Sequence, residues 1–233
     1  MKRDVIYTNG LVIAADNSGS IGEKPGDHVK ADYETVGYFS ARVALMECLA
    51  AGGEPFAVVL QNFASEAAWE KLATGVKRAV HEAECTAELT GSTETNFTMS
   101  ESAVSITVIG RHVREVDQLD EKTVCYGVMG KPLVGPEVIS EAESVASLSL
   151  FRQVLEVEGV YSVLPVGSKG IVHEIKTLVG REKRQIGAFY CSLNLNKSAG
   201  PATCFLVAAN HSSVPKLREM SNGLYTPLDI QFG

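Results

Sequence analysis

The sequence predicts an α+β protein built from two mixed α/β units, residues 1–112 and 113–233. Three features of its 233 residues carry that expectation. Apolar runs of strand length recur in both halves. β-Hairpins sit beside stretches of helical period, which favours α+β units over one doubly wound parallel sheet. One charged segment, RHVREVDQLDEK (111–122), separates the halves. No tandem repeat or low-complexity tract interrupts either half.

In chain order, VIYTNGLVIAA (5–15) holds two apolar runs around Asn9-Gly10, a strong hairpin signal because both residues tolerate positive φ. From Glu34 to Ala51, Val36, Phe39, Val43, Met46 and Ala50 keep helical spacing, and Gly52-Gly53 end the helix. FAVVLQNF (56–63) returns as a strand. Ser65 can cap a second helix striped by Trp69, Leu72, Val76 and Val80. ECTAELT (84–90) and AVSITVIG (103–110) read as strands. Beyond the charged segment, TVCYGVM (123–129) is a strand. Ser140 and Glu143 form a capping box that opens a helix to about Glu158. VYSVLPV (160–166), IGAFYCSLNL (186–195) and TCFLVAAN (203–210) read as strands. SVPKLREMSNG (213–223) is a short helix, with Pro215 near its start and Gly223 after its end.

Composition narrows the function classes. Hydrophobic residues make up 45% and charged residues 21%, the balance of a globular protein. The net charge is −7 and no Lys/Arg cluster occurs, so a nucleic-acid partner is not supported. An anion such as a nucleotide would have to be met by backbone amides, a few cations or a metal. The five cysteines form no CxxC pair and lie in or beside apolar segments, which suits reduced thiols in the cytoplasm. The five histidines lack zinc-site spacing. No signal core precedes the first strand, and no apolar run approaches the ~20 residues of a membrane span.

The chemistry concentrates at ends of elements. Asp16 closes an apolar strand and faces the small, polar stretch Asn17–Gly22, with Lys24 close behind. Such a carboxylate can hold a hard cation, or it can cap its own loop as an Asx-turn. Glu47 lies beside the apolar stripe of the first helix, where a charge needs a partner unless it reaches water at the stripe's edge. Glu94 stands in TGSTETNF, a small-residue loop that also fits a simple turn. Asp16, Glu47 and Glu94 are thus candidate ligands for Mg²⁺ bound with nucleotide phosphates. The loops Asn17–Gly22 and Gly91–Thr95 can present amides to those phosphates. Neither is a Walker loop, and no GxGxxG follows the first strand. Lys169, in PVGSKGIVHEI, sits between a strand and a helix, where a lysine can meet phosphate or simply be solvated. Nucleophilic catalysis lacks a GxSxG elbow.

At these residues the chain resembles the aminoimidazole ribonucleotide synthetase superfamily of ATP-dependent enzymes, which includes thiamine-monophosphate kinase. The resemblance runs from about Asp4 to the C-terminus. DNSGSI at Asp16 is similar to DGxGTK, whose Asp serves metal and phosphate. VGYFSARVALMECLAAGGEP (36–55) is similar to the helix ending SDLAAMGAxP, with Glu47 at its metal-binding acid. LTGSTET (89–95) resembles the GGET or GGDT loop, with Thr93 at the acid and Glu94 one place on. VGSKGI (166–171) resembles SDGL with Lys169 at the Asp, SAGPATCFLV (198–207) follows GGEDYELLF, and the GDD motif is reduced to Arg3-Asp4. The α-ribazole kinases are the branch most similar. The resemblance implies a homodimer formed through the N-terminal sheet, with ATP and Mg²⁺ as cofactors. Asn17, Ser18, Gly19, Ser20, Lys24, Gly91, Ser92 and Thr93 would bind the nucleotide, and Asp16 and Lys169 would be catalytic. It also implies a nucleoside-like small-molecule acceptor. A superfamily synthetase working through a phosphorylated intermediate, or a nucleotide-binding regulator without turnover, is the alternative.

Overall fold

The computed structural model describes residues 5–115, 124–180 and 186–232. Arg3-Asp4 and most of the charged segment lie outside them. The chain divides into two compact units, Met1–Glu115 and Val116–Gly233.

The first unit opens with strands β1 (Val5–Thr8) and β2 (Leu11–Gly19), joined by Asn9 and Gly10 with φ of 48° and 74°. These are the positive values a tight hairpin demands. Short strands β3 (Ile21–Gly22) and β4 (Val29–Lys30) lead into helix α1 (Tyr33–Ala50). Asp32 caps that helix by accepting a bond from the Thr35 amide, 2.9 Å. Strand β5 (Gly53–Asn62), helix α2 (Trp69–Glu82), and strands β6 (Glu88–Thr93) and β7 (Ala103–His112) follow. The sheet order is β1-β2-β7-β5-β6, with only β5 and β6 forming a parallel pair of neighbours. One face, carrying Val12, Ala14, Val58, Leu60, Ile106 and Val108, is buried.

Helix α1 lies in the layer over this face and also packs against α2. It is therefore enclosed on more than one side, which a single apolar stripe cannot describe. Tyr38, Leu45 and Leu49 are buried, whereas Phe39, Val43 and Ala50 of the expected stripe are half-buried. The two helices cross at glycines. A Cβ on Gly37 would run into the Leu72 carbonyl, and one on Gly75 into the Glu34 carbonyl. Leu72 and Val76 are 0% exposed at this crossing, each contributing roughly 1.5–3 kcal/mol by burial.

Three local readings change in this unit. Ser65 makes no side-chain cap bond, because a 3₁₀ turn (Glu66–Ala68) intervenes before α2. The strand expected at 84–90 begins at Glu88, since the Cys85 amide returns to the Val80 carbonyl and Glu84 takes φ 55° to close α2. The loops expected after Asp16 and at Gly91 are strand for much of their length, because the sheet ladder extends through Gly19 and Thr93.

The second unit is an antiparallel sheet of β8 (Val124–Met129), β9 (Val160–Pro165), β10 (Ile186–Tyr190), β11 (Phe205–Asn210) and β12 (Tyr225–Phe232), ordered β10-β12-β8-β11-β9. Its helices are α3 (Glu137–Ser140), α4 (Leu148–Leu155), α5 (Gly170–Gly180) and α6 (Val214–Met220). Ile171, Ile175, Leu178 and Val179 of α5 share a core with Tyr126, Val128, Leu206 and Leu228. Phe151 of α4 meets Phe205 edge-on at 4.9 Å.

The long helix expected from Ser140 does not form. Helix α3 ends at Ser140, and α4 starts at Leu148 with Ser147 as its cap, 3.0 Å from the Leu150 amide. Between them the chain makes a 3₁₀ turn (Ala142–Ser144), and bonds from the Ala146 amide to the Thr203 carbonyl (3.0 Å) and from the Lys131 amide to the Ser144 carbonyl (2.9 Å) tie it to other segments. Strand β12 was not evident in sequence, because Pro227 argues against a strand interior.

Candidate functional site

Strand register places much of the expected site at one end of the first sheet. Asp16, Ile106, Leu60 and Gly91 form one row across β2, β7, β5 and β6. Asn17, Ser105, Gln61 and Ser92 form the next, followed by Ser18, Val104, Asn62 and Thr93. Since β2 runs the same way as β5 and β6, these rows lie at the carboxyl ends of three strands. Asp16 and Ser18 share the helix-facing side with Val12 and Ala14, and Asn17 points to the other face.

The same register separates the expected metal ligands. Three strand spacings, roughly 14 Å, lie between Asp16 and Gly91. Glu47 lies in α1 and is 5% exposed, so it does not reach water at the edge of a stripe. Among the described residues, no group of three or more His, Cys, Asp or Glu side chains is placed to hold a metal ion. Asp16, Glu47 and Glu94 therefore do not make the three-acid Mg²⁺ site expected. Glu94 instead closes a turn, its Oε1 accepting the amides of Asn96 (2.6 Å) and Phe97 (3.2 Å). Of the three, Asp16 alone stands near the carboxyl end of β2, three residues before Gly19.

Two expected nucleotide ligands have structural duties. Lys24 Nζ donates to the carbonyls of Met99 (2.9 Å), Glu101 (3.3 Å) and Phe63 (3.5 Å), tying the 99–101 segment to the loop after β2. Gly91 lies in β6, where a Cβ would strike the Leu60 carbonyl and the Trp69 ring. Gly19 differs, because a Cβ there would meet nothing within 4 Å. The backbone at Gly19 is thus open to an incoming group. Ser20, with φ 59°, is bonded through its amide to the Ser102 carbonyl, 2.8 Å. Ser92 is exposed, and Thr93 Oγ1 accepts from Asn62 Nδ2 at 3.2 Å.

Sequence reasoning missed two organisers. Asn62, 1% exposed, donates to the Ser65 carbonyl (2.7 Å) and accepts from the Ala64 amide (2.9 Å). Asp27, 5% exposed, accepts the Ser102 amide (2.6 Å), the Ser102 hydroxyl (2.7 Å) and the Lys24 amide (2.8 Å). The Tyr33 hydroxyl adjoins Ser102 Oγ at 3.0 Å. The sequence signals were slight, an asparagine ending an apolar strand and an aspartate following Pro25-Gly26.

Burial alone would raise the Asp27 carboxyl, but the bonds from Ser102 and Lys24 outweigh it and hold the group below its ordinary value of 3.8. A depressed carboxyl stabilises the fold above its unfolded value, and that contribution is lost as pH falls through the lower, folded value. Asp27→Asn should lower stability at pH 7 by about 2–3 kcal/mol, since it weakens several bonds to a buried charge. It should also flatten the acid limb of stability below about pH 4. Urea titrations at pH 7 and on the acid limb check both expectations. Equal midpoints for variant and parent at pH 7 would refute the first.

Lys169 is exposed in the turn between β9 and α5 of the second unit. Two amides at the start of α5 are already bonded, Gly170 to the Gly167 carbonyl (3.1 Å) and Val172 to the Leu195 carbonyl (3.0 Å). The helix start therefore offers fewer donors for a shared anion than expected, and the lysine's charge is its main asset.

No protein-family model matches the sequence, and no curated protein sequence matches it. Solved structures do match in fold. E. coli HypE, a hydrogenase maturation protein, is 8% identical, with a TM-score of 0.66 over 94% of this chain and 79% of that one. Thiamine monophosphate kinase from Aquifex aeolicus is 15% identical, with a TM-score of 0.64 over 90% of this chain and 82% of that one. AaThiL complexed with AMPPCP and TMP is 14% identical, with a TM-score of 0.63 over 100% of this chain and 85% of that one. The chain has the mixed α/β fold of these aminoimidazole ribonucleotide synthetase-like structures.

Proposed function

We propose that this chain is an ATP-dependent phosphotransferase whose acceptor is a small nucleoside-like alcohol, α-ribazole first among candidates. The supporting observation is the likeness over its whole length to AaThiL, a fold that accommodates an ATP analogue together with TMP. The acceptor rests on AADNSGSIGEK, MECLAAGGEP, TGSTETNF and PVGSKGI, the stretches most similar to α-ribazole kinases. In this reading the first unit carries the nucleotide. The backbone from Asn17 to Gly19 approaches its phosphates from the open end of β2. Mg²⁺ bound with ATP supplies charge neutralisation, and Asp16 is the carboxylate that holds it. On the second unit, Lys169 meets phosphate charge directly as a compact ammonium. Phosphoryl transfer depends on positioning and charge neutralisation rather than a covalent nucleophile, which suits these residues.

The dispersal of Asp16, Glu47 and Glu94 favours one second reading, a nucleotide-binding regulator without turnover. ADP release and product mass decide the matter in one assay with ATP, Mg²⁺ and candidate nucleosides. A kinase yields ADP and an acceptor heavier by one phosphoryl group. A synthetase yields ADP without a phosphorylated final product. ATP binding without ADP release supports the regulator.

The open face of the first sheet supports a homodimer as part of this proposal. Ile6, Ile13, Ile109 and Ala57 form one row there, and Ile6 is 62% exposed. Such a row, lined by Leu11 and Val59 in neighbouring rows, suits a second copy of the same face. Sedimentation should show a dimer at micromolar concentration and a folded monomer for Ile13→Asp. A parent protein that sediments as a monomer with and without ATP would overturn this assembly.

A further inference from the structure

We propose that Cys125 is a nucleophilic thiol served by His211 as its base, forming a site for covalent exchange with low-molecular-weight disulfides. The two side chains touch, with Sγ and Nδ1 3.4 Å apart. Both are held by structure. Cys125 lies on β8, paired with Ala209 of β11, in a strand flanked on its other side by β12. His211 follows β11 directly. Its turn is fixed by Asn210, whose Oδ1 accepts from the Ser213 amide and the Ser212 hydroxyl, each at 2.9 Å. A base held in this way does not have to be ordered before it acts.

The other thiols are buried or engaged elsewhere. Cys48 and Cys204 are buried, and burial pushes the Cys48 thiol up to about 12. Cys85 Sγ donates to the Ala83 carbonyl at 3.3 Å, and Cys191 packs against the second-unit core. Cys125 is half-buried and His211 exposed, so a small reagent can reach the pair.

Several groups set the electrostatics around the thiol. His211 faces it from the turn after β11. From β12, Tyr225 feels both Cys125 and Asp229, and the register of Leu228 opposite Tyr126 sets Asp229 beside Cys125. From α6, the Arg218 guanidinium lies over the Tyr225 ring at 5.2 Å. Burial pushes the Tyr225 phenol up, so it stays neutral at pH 7.

The step balances without another reactant. With its other ring nitrogen protonated, His211 takes the Cys125 proton on Nδ1. The thiolate attacks one sulfur of the small disulfide, and the new S–S bond forms as the old one breaks. The departing thiolate then receives the proton from the imidazolium. Cys125 ends as a mixed disulfide, and one small thiol is released.

The test uses the full chain with oxidised glutathione and site-resolved mass spectrometry. Adduct should form at Cys125 about tenfold faster than at Cys85 or Cys191. His211→Gln and His211→Asn should each slow Cys125 about tenfold at pH 7. Their rates should rise with pH as an unassisted thiol's does, while thermal unfolding stays unchanged. Cys125→Ser should abolish the fast adduct. Cys125 reacting no faster than Cys191, an unaltered pH profile in both histidine variants, or a fast adduct surviving in Cys125→Ser would each overturn the assignment.

Discussion

Gly75→Ala is expected to destabilise the first unit by about 3 kcal/mol, although alanine is the better helix former by about 1 kcal/mol. The reason is geometric. The added Cβ would meet the Glu34 carbonyl oxygen and the Tyr38 amide, which are main-chain atoms of α1 and cannot rotate away as a side chain would. The helices would have to separate, uncovering Leu72 and Val76, both fully buried at the crossing. Gly37→Ala should act similarly through the Leu72 backbone. The double variant should lose less than the sum, because helices already parted by one methyl group accommodate the second. Gly19→Ala is the control, with open space at its Cβ and an expected change within about 0.5 kcal/mol. Urea midpoints measure all four. A Gly75→Ala protein as stable as its parent would mean that the crossing has room to spare.

The second large effect is on turnover. If the chain transfers phosphate as proposed, Asp16→Asn should reduce that transfer at least about a hundredfold, since the charge proposed to hold Mg²⁺ at the phosphates is replaced by a neutral group of the same shape. Register and packing should survive, so the thermal transition should not move. The Mg²⁺ concentration for half-maximal rate should rise if the carboxylate holds the ion. Glu94→Gln should leave turnover near the parent's, because that side chain is turned to the amides of Asn96 and Phe97. Wild-type rate and Mg²⁺ dependence in Asp16→Asn would return Asp16 to a capping role.

The hairpin at Asn9-Gly10, helix α1 and the strand before Asp16 were legible because local chemistry decides them. Positive φ, helical spacing and a pair of glycines point to the same answer. The broken helix between Ser140 and Leu148 was not legible, because its deciding bonds come from other segments, at Lys131 and at the distant Thr203. The candidate site divides along the same line. Residue types suited to phosphate and metal could be named at Asp16 and in its loop. Their separation could not, because it depends on β6 lying three strands from β2. Asp27 and Asn62 stayed hidden for a related reason. Each organises main-chain groups, and its importance lies in partners that no spacing rule connects.

In the proposed phosphotransferase, the bonds among Asp27, Ser102, Lys24 and the 99–101 carbonyls also bear on the speed of nucleotide recognition. The loop beside Gly19 has its shape before any guest arrives, so an encounter need not wait for the chain to organise, and little freedom is surrendered on capture. Association should then be limited by diffusion and orientation, not by a preceding slow rearrangement. The amides of Ser102 and Lys24 should resist deuterium uptake in the empty protein nearly as well as in the occupied one.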